Sequence, residues 1–91
     1  MLAYVVEFLG TFLFLSVFVA TSQPILVSLA LLLVMMLGAG VSGGYFNPAA
    51  SLMFWVKGSL SNVELLAYMA AQFLGGLSAV GVYKALMGKG M

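Results

Sequence analysis

Three stretches of this chain, residues 4–22, 25–41 and 63–87, carry only three charged residues between them, Glu7, Glu64 and Lys84. Crossing a bilayer takes about 20 predominantly apolar residues, and each stretch reaches that length or nearly so. Backbone amides find no water in hydrocarbon, so a crossing segment must be a helix or part of a closed barrel. Runs of this length predict three transmembrane helices and an all-α membrane protein. The remaining composition agrees: 65% of the 91 residues are hydrophobic and 5% are charged, whereas a soluble domain is about 25% charged. The polar turn Thr21-Ser22-Gln23 closes the first run, and Pro24 suits the first turn of the next helix. Phe8 to Ala20 resembles the apolar core of a cleaved leader. Yet no Lys or Arg precedes it and Glu7 stands where positive charge belongs, so a retained helix is expected.

The same composition excludes whole classes of chemistry. The chain has no Cys, His, Asp or Arg, so disulfides, thiolate or imidazole metal sites and Ser-His-Asp catalysis have no residues to use. No cofactor, metal or enzymatic activity is expected. A net charge of +1 gives no basis for nucleic-acid binding, and lipid is the expected surrounding.

Between the second and third apolar runs the pattern changes. Gly38, Gly40, Gly43 and Gly44 lead into Tyr45-Phe46-Asn47-Pro48-Ala49-Ala50, and the apolar run from Ser51 stops at Lys57-Gly58-Ser59. Asn is a leading N-cap residue and Pro suits the first helical position, so a short helix should start at Asn47-Pro48. If the Asn47 oxygen caps that helix, its NH2 group stays free to donate. Residues 42–57 therefore read either as a re-entrant loop and half-helix lining a cavity or as an extramembrane turn with an interfacial helix. In the last run, Ala67, Ala71, Gly75 and Ala79 recur every four residues, a stripe that lets another helix approach closely.

The segment Ser42-Gly43-Gly44-Tyr45-Phe46-Asn47-Pro48-Ala49 resembles the aquaporin (major intrinsic protein) family. Glu7-Phe8-Leu9-Gly10-Thr11-Phe12 and Ala71-Gln72-Phe73-Leu74-Gly75-Gly76 resemble that family's first-helix and third-helix signatures. The likeness covers residues 1–91 as a single half-repeat, the first of the family's two inverted halves, and no second Asn-Pro-Ala follows. It implies half of an aquaporin-like fold and a narrow pore for water or small neutral solutes such as glycerol. The expected pore lining is Gly43, Gly44, Tyr45, Phe46, Asn47, Pro48 and Ala49, with Val27 and Ala50 at constriction positions. Glu7 and Gln72 match positions that brace the loop from behind, although Glu7 also suits an interfacial carboxylate near the membrane surface. The family's constriction Arg has no counterpart here, Val27 stands where an aromatic would fall, and Tyr45 replaces a common His.

Half a pore leaves loop backbone and the Asn47 amide uncovered in lipid, which implies a partner. A second copy in inverted orientation would reproduce the inverted repeat as a homodimer, and family likeness extends this to a higher oligomer. Lys57 and the terminal amine fall on one side and Lys84 and Lys89 on the other, leaving little bias for orientation. The rivals are half of a heteromeric pore, a non-conducting membrane subunit that modulates other channels, and a small pore-forming or lytic protein.

Overall fold

A computed structural model describes residues 1–88, so Lys89 lies outside the described residues. It contains helices α1 (Leu2–Thr21), α2 (Pro24–Ser42), α3 (Pro48–Lys57) and α4 (Asn62–Met87). The three long helices match the expected spans to within about two residues at each end, the usual scatter of helix boundaries. Local chemistry sets each break. The chain leaves α1 through Ser22 in the left-handed region (φ 54°), and Pro24 opens α2 after one extended residue. Gly43 ends α2 at φ 92°, a conformation that costs glycine little because it has no Cβ. Asn47 caps α3, Gly58 ends it, and Ser61 with Glu64 forms a reciprocal capping box at the start of α4.

The central helix is α1, which packs on α2 and on α4, while α3 packs on α4. The α1–α4 approach is close at Gly75, where a Cβ would lie 2.8 Å from the Phe8 carbonyl oxygen and 3.0 Å from the Thr11 Cβ. Ala71, Gly75 and Ala79 are buried and Ala67 is half-buried, so the contact at Gly75 is made with α1 of the same chain. Apolar side chains also surround the outside. Three residues of α1 and three of α2 are buried, against six of α4. An outer surface dominated by exposed Leu, Met, Val and Phe is stable in lipid and not in water. All three long helices are long and apolar enough to cross a membrane, and the protein is an integral, multi-pass membrane protein.

Helix α3 has 10 residues, about 15 Å at 1.5 Å per residue, or half a hydrocarbon core. Its N-terminus lies at mid-height of the bundle. Asn47 and Pro48 border a cavity together with Thr11, Phe14 and Leu15 from the middle of α1, and with Gln72 and Gly76 from the middle of α4. The loop therefore re-enters the bundle, and of the two readings open to the sequence the extramembrane turn is excluded.

Candidate functional site

Glu7 organises the loop. It lies on α1 with no exposed surface, and four donors converge on its carboxylate. Ser42 Oγ (2.6 Å) and the Tyr45 amide (3.2 Å) donate to Oε2, while the Phe46 amide (2.7 Å) and Gln72 Nε2 (2.8 Å) donate to Oε1. An intramembrane carboxylate is costly unless its lone pairs are filled. Here neutral N–H and O–H groups fill them, with no cation among the described residues taking part. Around this centre, the Gly44 amide donates to Ser42 Oγ and the Tyr68 hydroxyl donates to the Ser42 carbonyl (2.7 Å). Gln72 Nε2 also donates to Ser51 Oγ (2.7 Å), which ties α3 to α4 and, through Glu7, to α1.

Successive amides at 44, 45 and 46 all point toward Ser42 and Glu7, a concave run of N–H groups that holds an anion well. Glu7 is that anion. The carbonyls of Gly43, Gly44, Tyr45 and Phe46 accept no hydrogen bond among the described residues. The loop thus has one tied edge and one free edge.

Phe46 fixes the loop by packing. It is 2% exposed and holds φ 52°, a left-handed conformation that is uncommon for a bulky residue. Its ring fills the space left by two helical glycines. A Cβ on Gly10 would overlap the ring, and a Cβ on Gly38 would sit 2.9 Å from Phe46 Cζ and 3.0 Å from Val6 Cγ1. On the other flank Tyr45 stacks on Phe54 of α3 (centroids 4.4 Å apart, planes at 5°) and lies 5.6 Å from Tyr68. The Lys57 ammonium lies 5.4 Å from the Phe54 ring centre.

At the tip, Asn47 is exposed and Oδ1 accepts from the Ala49 amide (2.8 Å), while Nδ2 makes no hydrogen bond among the described residues. Gly43 and Ala49 are also exposed, Pro48 and Ala50 are half-buried, and Gly44 is buried. The Phe46 side chain lies inside the bundle, which leaves its backbone as the part that can face a cavity. Val27 is half-buried on α2 and is not among the residues lining the cavity beside Asn47. Gln72 donates to Glu7 and to Ser51 and makes no hydrogen bond to the loop backbone among the described residues. Ser42, Ser51, Tyr68, Gly10 and Gly38 were not singled out for the site from sequence. For the two glycines a signal existed, since small residues inside apolar helices mark close approach.

A family model described as major intrinsic protein matches residues 1–91. The chain is 43% identical over 49 residues to an aquaporin PIP2-7 of Musa acuminata, covering 54% of this chain and 17% of that protein. It is 46% identical over 43 residues to an aquaporin Z of Brucella melitensis, covering 47% of this chain and 19% of the relative. A glycerol uptake facilitator protein-like 6 of Lactiplantibacillus plantarum is 29% identical over 93 residues, covering 92% of this chain and 43% of that protein. The chain thus spans less than half the length of these relatives. No solved structure matches it.

Proposed function

The chain belongs to the major intrinsic protein family, and from that premise we propose that it supplies half of a passive membrane channel for water and small neutral solutes. The complete pore is an antiparallel homodimer. The observation that carries this reading is the two-edged loop. Glu7 holds the amides of Tyr45 and Phe46, leaving the Gly43 to Phe46 carbonyls free to accept from a permeant, while Asn47 Nδ2 is free to donate. A neutral solute that gives up hydration needs acceptors and a donor along its path, and apolar walls that let it leave. The N-terminus of α3 carries about half a positive elementary charge, and two such termini meeting from opposite sides would repel cations at the centre.

In this pore Gly43, Gly44, Tyr45, Asn47, Pro48 and Ala49 line the path, Phe46 contributes its carbonyl, and Ala50 and Val27 lie where the family narrows. With no Arg in the chain, the constriction is less polar, and glycerol should pass beside water. Purified protein in liposomes should speed osmotic shrinkage over empty vesicles and show glycerol uptake. The Asn47→Asp variant, which replaces a donor by an acceptor-only carboxylate, should slow both. Correctly inserted protein that leaves the light-scattering rate unchanged would sink the homodimeric channel.

A second reading starts from the Arg that this sequence lacks. A different polypeptide carrying an Arg could then supply the other half. Coexpression with such a half would raise water flux where the single chain gives none.

A further inference from the structure

Val27 and Ala50 leave the constriction positions without an aromatic ring or a charge, yet the loop carries a ring elsewhere. Gly43, Gly44, Ala49 and Ala50 have little or no side chain, Phe46 is buried against Gly10 and Gly38, and Asn47 and Pro48 start α3. Tyr45 alone on this stretch keeps a large side chain half-buried at the loop's surface. Three contacts hold its ring. It stacks on Phe54 with centroids 4.4 Å apart and tilts against Tyr68 at 5.6 Å. It also lies so close to Gly43 that a Cβ there would be 2.8 Å from its Cε1 and Cζ. Tyr68 is itself pinned, donating its hydroxyl to the Ser42 carbonyl and meeting Tyr4 edge-on. The Tyr45 ring is thus a fixed wall and not a swinging side chain.

The polar end of that wall is free. The Tyr45 hydroxyl would be 3.0 Å from the same Gly43 Cβ, so it stands beside the loop's unpaired carbonyls. It makes no hydrogen bond among the described residues, and it is not one of the sealed polar atoms of the bundle. A phenolic hydroxyl both donates and accepts. Phe54 lies about two turns of α3 beyond Asn47, or ~10 Å toward the Lys57 end. Tyr45, stacked on it, therefore stands outward of the Asn47 tip. We propose that Tyr45 sets the size limit of the pore: its clamped ring narrows the mouth, and its hydroxyl, with the Gly43 carbonyl, receives a solute before Asn47 does. This rests on the homodimeric channel and deepens it, because inverted copies give each mouth its own Tyr45. The solute class that matches such a surface is the short linear polyol. Its carbons lie along the apolar body of the ring while its hydroxyls exchange with the polar tip.

Purified protein in liposomes is assayed for water, glycerol and the five-carbon polyol ribitol. Tyr45→Ala should raise the ribitol-to-water permeability ratio several-fold. Phe54→Leu, which removes the stack and leaves the ring in place, should raise the same ratio by less. Tyr45→Phe keeps the stack and loses only the hydroxyl, so the ribitol ratio should stay low while glycerol falls several-fold relative to water. General damage to the loop would lower all three fluxes together, so the ratios separate a selecting residue from a structural one. A ribitol ratio unchanged by Tyr45→Ala overturns the size limit, and a glycerol ratio unchanged by Tyr45→Phe overturns the part given to the hydroxyl. Should Tyr45→Ala lose helicity by circular dichroism, Phe54→Leu decides the size limit by itself. Water flux with none of these ratio changes sinks the role of Tyr45 alone, whereas no flux through the unmodified protein sinks the channel and the size limit with it.

Discussion

At the scale of the residue, Glu7 and Phe46 hold the loop by different physics, and each can be removed separately. Glu7→Gln turns one acceptor oxygen into an NH2 group facing N–H and O–H donors, so at least one donor is stranded. Hydrogen bonds to charged groups contribute about 1.5–3 kcal/mol each, and the variant should lose stability of that order. Denaturant titration in mixed micelles measures the loss, and liposome water flux should fall with it. Phe46 depends on the missing side chains of its neighbours. Gly10→Ala places a methyl group inside the Phe46 ring position, so the loop must shift while α1 keeps its helix. Water flux should drop several-fold at unchanged helicity, and the second substitution Phe46→Leu should restore part of it. Full activity of the single Gly10→Ala variant would show that the ring is not what locates the loop.

At the scale of the element, α1 and α4 approach so closely at Gly75 that the next atom to be met is backbone. Gly75→Leu cannot be absorbed by a side-chain rotation, because the new Cβ would lie 2.8 Å from the Phe8 carbonyl oxygen and 3.1 Å from the Phe12 amide nitrogen. Overpacking of this kind costs about 1–3 kcal/mol. The expected result is normal membrane insertion with a looser α1–α4 pair, seen as faster amide exchange in α4 and weaker Gln72–Glu7 coupling in a double-mutant cycle. The elements themselves were legible in sequence, because long apolar runs, Pro24 and Asn47-Pro48 are all local signals. The depth of the loop was not. Whether Gly43–Asn47 turns outside the bilayer or inside it depends on partners 35 to 65 residues away, Ser42, Phe46 and Gln72 against Glu7, and no local pattern encodes those distances. Gly10 and Gly38 signal a close approach in sequence, but that the Phe46 ring is what approaches them is visible only in the fold.

At the scale of the whole molecule, Lys57 ends α3 and Lys84 lies in the last turn of α4, so the two described lysines fall one to each side of the bundle. Positive charge on flanking loops sets orientation, and this chain offers the insertion machinery little to choose by. Reporters fused to the C-terminus, one active inside the cell and one outside, should both give signal. Two Lys residues added beside Lys57 should lock one orientation and lower flux, and coexpression with a copy locked the other way should restore it. A single fixed orientation of the unmodified chain would leave the channel dependent on a different second half. The buried carboxylate also bears on how the chain is made. During vectorial synthesis Glu7 enters the membrane early, and three of its four donors follow with residues 42–46. The fourth, Gln72, comes 65 residues after Glu7 and brings the bond to Ser51 with it. Until α4 emerges from the ribosome, α3 lacks that tether, so the last helix sets the moment at which the loop is locked.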